Sequence, residues 1–164
     1  MSQEEVTLHV ERHNQCYGPG DRVAVTAIVK SDSLHTVILR GFEFSLRETI
    51  VFRHGVHGAG KKHAPQTRQT NIGENKIMVN STLYGGTSHT AELACMISPN
   101  HTTTSLQAAR HIDIDYVLCI KAIMGTGAHL VMELPVVISN WQRYVNAIFN
   151  CVTTTSDGLF SVFA

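Results

Sequence analysis

Apolar residues recur at every second position in several separate stretches of this chain, and this period restricts how the chain can fold more than any other feature. The alternation is clearest from 112 to 120, where Asp113 and Asp115 interrupt an otherwise apolar series. Strands with one face on a core show this pattern, because successive side chains point to opposite faces of a sheet. Since no stretch shows a convincing amphipathic helical pattern, the chain is predicted to be all-β.

Turn signals separate the alternating stretches. The sequence Tyr17-Gly18-Pro19-Gly20-Asp21 follows the first stretch, and Gly125-Thr126-Gly127 separates the last two as a hairpin turn. Strands are predicted at residues 6–10, 23–29, 36–52, 76–83, 89–97, 112–120 and 130–138. A series of about seven strands joined by turns predicts an immunoglobulin-like antiparallel β-sandwich.

The stretch 36–52 is longer than an ordinary strand, and a bend is predicted at Gly41. Its charged residues are Arg40, Glu43, Arg47 and Glu48. Their ordinary role would be pairing with charges on neighbouring strands. The alternative is that the exposed face of this strand, with an open sheet edge, is a docking surface for an extended peptide tail.

We expect one sandwich domain over residues 1–143, followed by a tail or additional edge strand at 144–164. Residues 53–71 contain hardly any large apolar side chain, so they are predicted to form a long exposed loop. The basic residues of this loop are Arg53, Lys61, Lys62 and Arg68. Such a cluster can attract anionic lipid headgroups, and the alternative is a plain solvated loop.

The sequence argues against an enzyme and against a bound cofactor or metal. A glycine-rich run from Gly55 to Lys61 mimics a phosphate-binding loop, but Lys62 replaces the hydroxyl residue and no helix is predicted to follow. Histidines in the same loop have no nearby cysteine or carboxylate to complete a metal site. Asp113 and Asp115 are predicted to face solvent on a strand, not to form a catalytic pair.

Charge and cysteine usage restrict partners and location. Thirteen basic and thirteen acidic residues give a formal net charge of zero, which disfavours nucleic-acid binding and leaves self-association unopposed by charge. The four cysteines are far apart and are predicted to be free thiols. Together with an N-terminus that lacks the apolar segment of a secretory signal, they predict a cytoplasmic protein.

Three stretches resemble the C-terminal half of the arrestin fold, in its fungal α-arrestin version. The turn at 17–21 with the strand 22–30 resembles the opening of that domain. Residues 34–48, Leu-His-Thr-Val-Ile-Leu-Arg-Gly-Phe-Glu-Phe-Ser-Leu-Arg-Glu, are similar to fungal members in detail. Residues 112–118 and 134–138 resemble the closing strand pair. Because these stretches occur in the order and spacing of the family, the resemblance covers most of the chain.

The resemblance implies a non-catalytic cytoplasmic adaptor that normally works beside a second, N-terminal sandwich. Such adaptors link plasma-membrane cargo, through the cytoplasmic tails of transporters or receptors, to ubiquitination and endocytic sorting, and they are recruited to the plasma membrane or endosomes. The family recruits HECT-type ubiquitin ligases through Pro-Pro-x-Tyr motifs. No two prolines are adjacent here, so a ligase would be recruited by another part of the parent protein. The alternative is a structural half that braces the missing N-terminal sandwich without binding cargo.

Overall fold

The computed structural model describes residues 6–53, 65–106 and 111–140, together with the backbone of two short strands near the C-terminus. The described residues form strands, turns and connections, with no helix among them. The strands are β1 Val6–Arg12, β2 Cys16–Tyr17, β3 Arg22–Ser31, β4 Val37–Phe52, β5 Gln66–Leu83, β6 Thr87–Met96, β7 Ile112–Met124, β8 Leu130–Ile138, β9 Thr153–Thr154 and β10 Phe160–Ser161.

Two sheets make up the sandwich. One is three-stranded in the order β1-β3-β6, and the other is five-stranded in the order β2-β8-β7-β4-β5. All neighbours pair antiparallel except the short β2, which runs parallel to β8. The predicted all-β antiparallel sandwich is confirmed. Of residues 144–164, β9 and β10 are described, and they pair with each other in a separate two-stranded sheet.

Alternating side chains of both sheets form the core, as the period-two pattern requires. In β3 every second residue from Val23 to Val29 is fully buried, and β4 contributes Phe42, Phe44 and Leu46. The same cluster also includes the facing residues Tyr17, Leu39, Leu83, Leu93, Cys95, Ile97, Tyr116, Leu118, Ile120, Ala122, Met124, Val136 and Ile138. Burial raises the pKa of the Cys95 thiol to about 11.

A β-bulge lies at the position where the bend was predicted. The register of β4 shifts between Leu39 and Gly41 against both of its neighbours, β5 and β7. A Cβ atom at Gly41 would overlap the carbonyl oxygen of Ile77, so only glycine allows this close approach of β5. A second shift, after Leu46, leaves Ile72 as an extra residue on β5.

The prediction of a loop at 53–71 is wrong for the last six of these residues. The strand β5 begins at Gln66, and residues 66–71 pair in register with residues 47–52 of β4. Every residue from Gln66 to Asn71 is exposed. Because neither face of this segment is buried, it carries no apolar alternation, which is the signal on which the strand predictions depended. Residues 54–64, the middle of the predicted loop, lie outside the described residues.

Candidate functional site

The outward side of β4 carries a network of charges, centred on Glu43. The Glu43 carboxylate lies 3.2 Å from Lys76 Nζ on β5 and 3.4 Å from Lys121 Nζ on β7. Hydrogen bonds from Lys76 and then Lys121 lower the pKa of Glu43. The cross-strand pairing predicted for this strand is therefore present, and it joins three neighbouring strands through one carboxylate. We call the exposed surface formed by Arg40, Glu43, Ser45 and Arg47 the outer β4 face.

Arg47 forms a further ion pair on the same outward side of the sheet, with a residue of β8. Its Nη2 atom donates a hydrogen bond of 2.9 Å to Glu133 Oε1 on β8, whereas its Nε atom has no hydrogen-bond partner among the described residues. Lys76, Lys121 and Glu133 were not identified from the sequence. The sequence indicates that these three residues occupy outward positions on their strands. It does not show the strand register that brings them next to Glu43 and Arg47.

Arg40 is the charged residue of this face that is available to a partner. It occupies the bulge before Gly41, is exposed, and forms no ion pair with any described residue. Met78, opposite Gly41, is 59% exposed, and Val131, opposite Lys121, is 63% exposed. The outer β4 face, with the strands beside it, therefore combines an arginine that has no ion pair among the described residues with exposed apolar side chains.

A shallow polar groove lies between β4 and β5 on the same face, next to the second bulge. Its volume is about 540 Å³, and its polar lining consists of Glu43, Ser45, Asn71, Glu74, Asn75 and Lys76. Carboxylates, amides and a hydroxyl can accept or donate hydrogen bonds to the backbone and side chains of an extended chain. The groove thus extends the outer β4 face towards the edge of the sheet.

Glu48, predicted to lie on the docking strand face, is instead buried on the opposite face of β4. Tyr116 Oη donates a hydrogen bond of 2.7 Å to Glu48 Oε2. His101 Nε2 lies 3.0 Å from Tyr116 Oη and 3.4 Å from Glu48 Oε2. Glu48 shares the parity of Phe44 and Leu46, so the strand geometry points it inward. It is a structural residue, not part of the outer β4 face.

The buried cluster of Glu48, Tyr116 and His101 holds the connection between β6 and β7 in place across the end of the sandwich. His101 belongs to that connection, while Glu48 and Tyr116 belong to the five-stranded sheet. The same connection is held at Ser105, whose backbone N–H donates to the Ile138 carbonyl at 2.8 Å and whose Oγ accepts from the Ile138 N–H at 2.9 Å. Burial, and then the hydrogen bond to Glu48, raise the pKa of Tyr116.

The predicted basic cluster is not gathered on one loop as far as the structure describes it. Arg53 directly follows β4 and forms an ion pair with Asp113, which is largely buried rather than facing solvent as predicted. Arg68 is exposed on β5 and lies opposite Ile50. Lys61 and Lys62 lie outside the described residues. Of the four cations, one is thus already paired within the sheet.

Within residues 6–53, 65–106 and 111–140, no three side chains of histidine, cysteine, aspartate or glutamate come together as a metal site would require. The same part of the chain has no helix of the length and apolarity needed to cross a membrane. Cys16, Cys95 and Cys119 form no disulfide.

Comparisons with known proteins agree with this architecture. Residues 2–142 match the family described as arrestin (or S-antigen), C-terminal domain. No curated protein sequence matches the chain. Among solved structures, the sporulation control protein Spo0M from Bacillus subtilis superposes with a TM-score of 0.63 at 12% identity. The match covers 82% of this chain and 49% of that one, so the chain spans about half the length of its structural neighbour. At this identity the likeness shows the fold alone.

Proposed function

This chain belongs to the arrestin C-terminal domain family, and on that premise we propose that it is a non-catalytic binding module whose outer β4 face docks the cytoplasmic tails of membrane proteins. Domains of this family generally act as protein-binding adaptors. In the proposed role the module links transporters or receptors of the plasma membrane to ubiquitination and endocytic sorting in the cytoplasm. A HECT-type ligase would be recruited by another part of the parent protein, as in the fungal α-arrestins that the sequence resembles.

The observation that carries this proposal is the combination of charge and apolar surface on the outer β4 face. Arg40 has no ion pair among the described residues, Met78 is exposed on β5 opposite Gly41, and Val131 is exposed on β8 opposite Lys121. Charged groups that already pair with each other, such as Glu43 with Lys76, contribute orientation more than affinity. An extended tail with an acidic residue near an apolar one would therefore match this surface.

Reversing the charge of Arg40 is expected to weaken tail binding. We predict that Arg40→Glu lowers the affinity for acidic cytoplasmic-tail peptides about tenfold or more, since a favourable contact becomes a repulsive one. The measurement is fluorescence anisotropy with a panel of labelled tail peptides from plasma-membrane transporters and receptors, at two salt concentrations.

Arg22→Glu is the matched control. Arg22 is also an exposed strand arginine, but it lies on the three-stranded sheet, where it pairs with Glu92 at 2.5 Å. The Arg22→Glu variant should bind tail peptides like the unchanged protein. Circular dichroism verifies that both variants fold. Equal binding by Arg40→Glu and the unchanged protein would remove the outer β4 face as the docking surface.

A second candidate function is the structural brace, favoured by apolar side chains exposed at one end of the sandwich. Phe52 and Met96 end β4 and β6 there, and Leu106 lies beside β7. An N-terminal sandwich packed on this end would cover them. If the chain binds no tail peptide alone but does so when joined to the N-terminal half of the parent protein, the brace is the better description.

Contact with anionic membranes is a further part of the proposal, based on Arg53, Lys61, Lys62 and Arg68. We predict that Lys61→Glu combined with Lys62→Glu reduces co-flotation with phosphatidylserine vesicles severalfold, because each cation near the surface contributes about 1 kcal/mol. Vesicles of neutral lipid are the control. Unchanged flotation with the anionic vesicles would contradict membrane contact through this segment.

A further inference from the structure

The outermost strand of the five-stranded sheet has an exposed half that extends from Gln66 to Asn71. We call these six residues the β5 edge segment. One side of the segment pairs with β4, and no described strand pairs with its other side. Each of its residues is exposed, so neither face of the segment is covered. The backbone N–H and C=O groups on its free side are therefore available to another strand.

Natural edge strands are commonly protected against such pairing by lysines, prolines or bulges. Within the β5 edge segment the only charged residue is Arg68, and there is no proline. Pro65 precedes the segment and the extra residue Ile72 follows it. These two features limit where a strand can be added, but they leave the six residues between them open.

From this geometry we propose that the β5 edge segment pairs antiparallel with the same segment of a second copy of the chain. A peptide added to a sheet edge gains specificity from pockets for its alternate side chains. The β5 edge segment is exposed on both faces, and it meets the groove between β4 and β5 at Asn71 alone, so it offers no row of pockets for alternate side chains. A second copy of the segment needs no pockets, because its polar side chains can hydrogen-bond to the polar side chains of the first copy. The zero net charge of the chain removes electrostatic repulsion between the two copies.

Two-fold symmetry determines how the segments can face each other. Opposed residues in an antiparallel pair lie on the same face, so the central residue must face its own copy. Centring on Arg68 would place two guanidinium groups in opposition. Centring on Gln69 opposes Arg68 to the partner's Thr70 and Thr67 to the partner's Asn71, which are pairs of polar side chains able to hydrogen-bond. This register pairs residues 67–71 of the two copies and ends before the extra residue Ile72.

A contact of residues 67–71 from each copy buries much less surface than a standard interface, so the dimer is weak and concentration-dependent. Sedimentation velocity of the full chain over a wide concentration range should therefore show a reversible rise in sedimentation coefficient. Thr67→Lys with Asn71→Lys should remove that rise, because in the proposed register the lysine at position 67 of each copy faces the lysine at position 71 of the other. Thr67→Lys with Asn71→Glu should restore or strengthen it, because the same positions then form two Lys–Glu pairs.

The control for added charge is Leu34→Lys with Thr36→Lys, in the exposed connection between β3 and β4. This variant gains the same charge at the opposite end of the sandwich and should associate like the unchanged protein. Circular dichroism verifies the fold of each variant. A chain that stays monomeric at every concentration overturns the proposal, as does equal association of the Lys–Lys and Lys–Glu variants. Because the readout is self-association, it is independent of whether tail peptides bind.

Discussion

Replacing Tyr116 by phenylalanine is expected to lower the free energy of unfolding by about 1.5–3 kcal/mol. The substitution keeps the buried ring and removes only the hydroxyl that donates 2.7 Å to Glu48 Oε2. The Glu48 carboxylate then remains almost entirely buried with His101 as its remaining close polar neighbour. Leaving a buried charged group without one of its hydrogen-bond partners costs more free energy than the hydrogen bond itself contributes, because the group cannot regain water.

Urea unfolding monitored by fluorescence measures the effect, and Tyr84→Phe is the matched control. Tyr84 is 59% exposed in the turn between β5 and β6, so removal of its hydroxyl should change stability by less than about 0.5 kcal/mol. The double variant Tyr116→Phe with Glu48→Leu should be more stable than the sum of the single effects predicts, since no polar atom of the pair is left alone. A Tyr116→Phe variant as stable as Tyr84→Phe would show that the cluster does not hold the β6–β7 connection.

The sequence was sufficient to predict the strands of the core. In β3, β4 and β7 each side of the strand has its own composition, because one side faces apolar neighbours and the other faces water. The first part of β5 could not be found in this way. From Gln66 to Asn71 both faces are exposed, so both carry polar residues, and a polar run without periodicity looks the same in a loop and in an edge strand.

The candidate site was only partly predictable for a related reason. Arg40, Glu43 and Arg47 could be placed on the outer side of their strand, but their partners come from strands whose register depends on two bulges. Glu48 was a different kind of error. Its parity with Phe44 indicates an inward side chain, whereas its charge favours an exposed one. A buried carboxylate needs a hydrogen-bond donor, and here it is Tyr116 Oη, with His101 Nε2 3.4 Å from the same carboxylate oxygen; both residues are distant from Glu48 in sequence.

Replacing Phe44 by alanine should have the largest effect, a loss of about 3–5 kcal/mol of unfolding free energy. Phe44 is 1% exposed at the centre of β4, between Phe42 and Leu46. Its removal deletes apolar contacts with both sheets and leaves a cavity that the surrounding strands cannot close, because their registers are set by hydrogen bonds. Chemical unfolding of the purified chain measures the loss.

Phe52→Ala provides the comparison that makes this result informative, because it is the same substitution on the same strand. Phe52 is 37% exposed at the end of β4, so its truncation should cost less than about 1.5 kcal/mol in the isolated chain. Similar losses for the two variants would contradict the described core. If an N-terminal sandwich covers Phe52 in the parent protein, the cost of Phe52→Ala should rise there while that of Phe44→Ala stays the same. The pair of phenylalanines therefore tests the core and, in the longer protein, tests whether an N-terminal sandwich packs on this end of the chain.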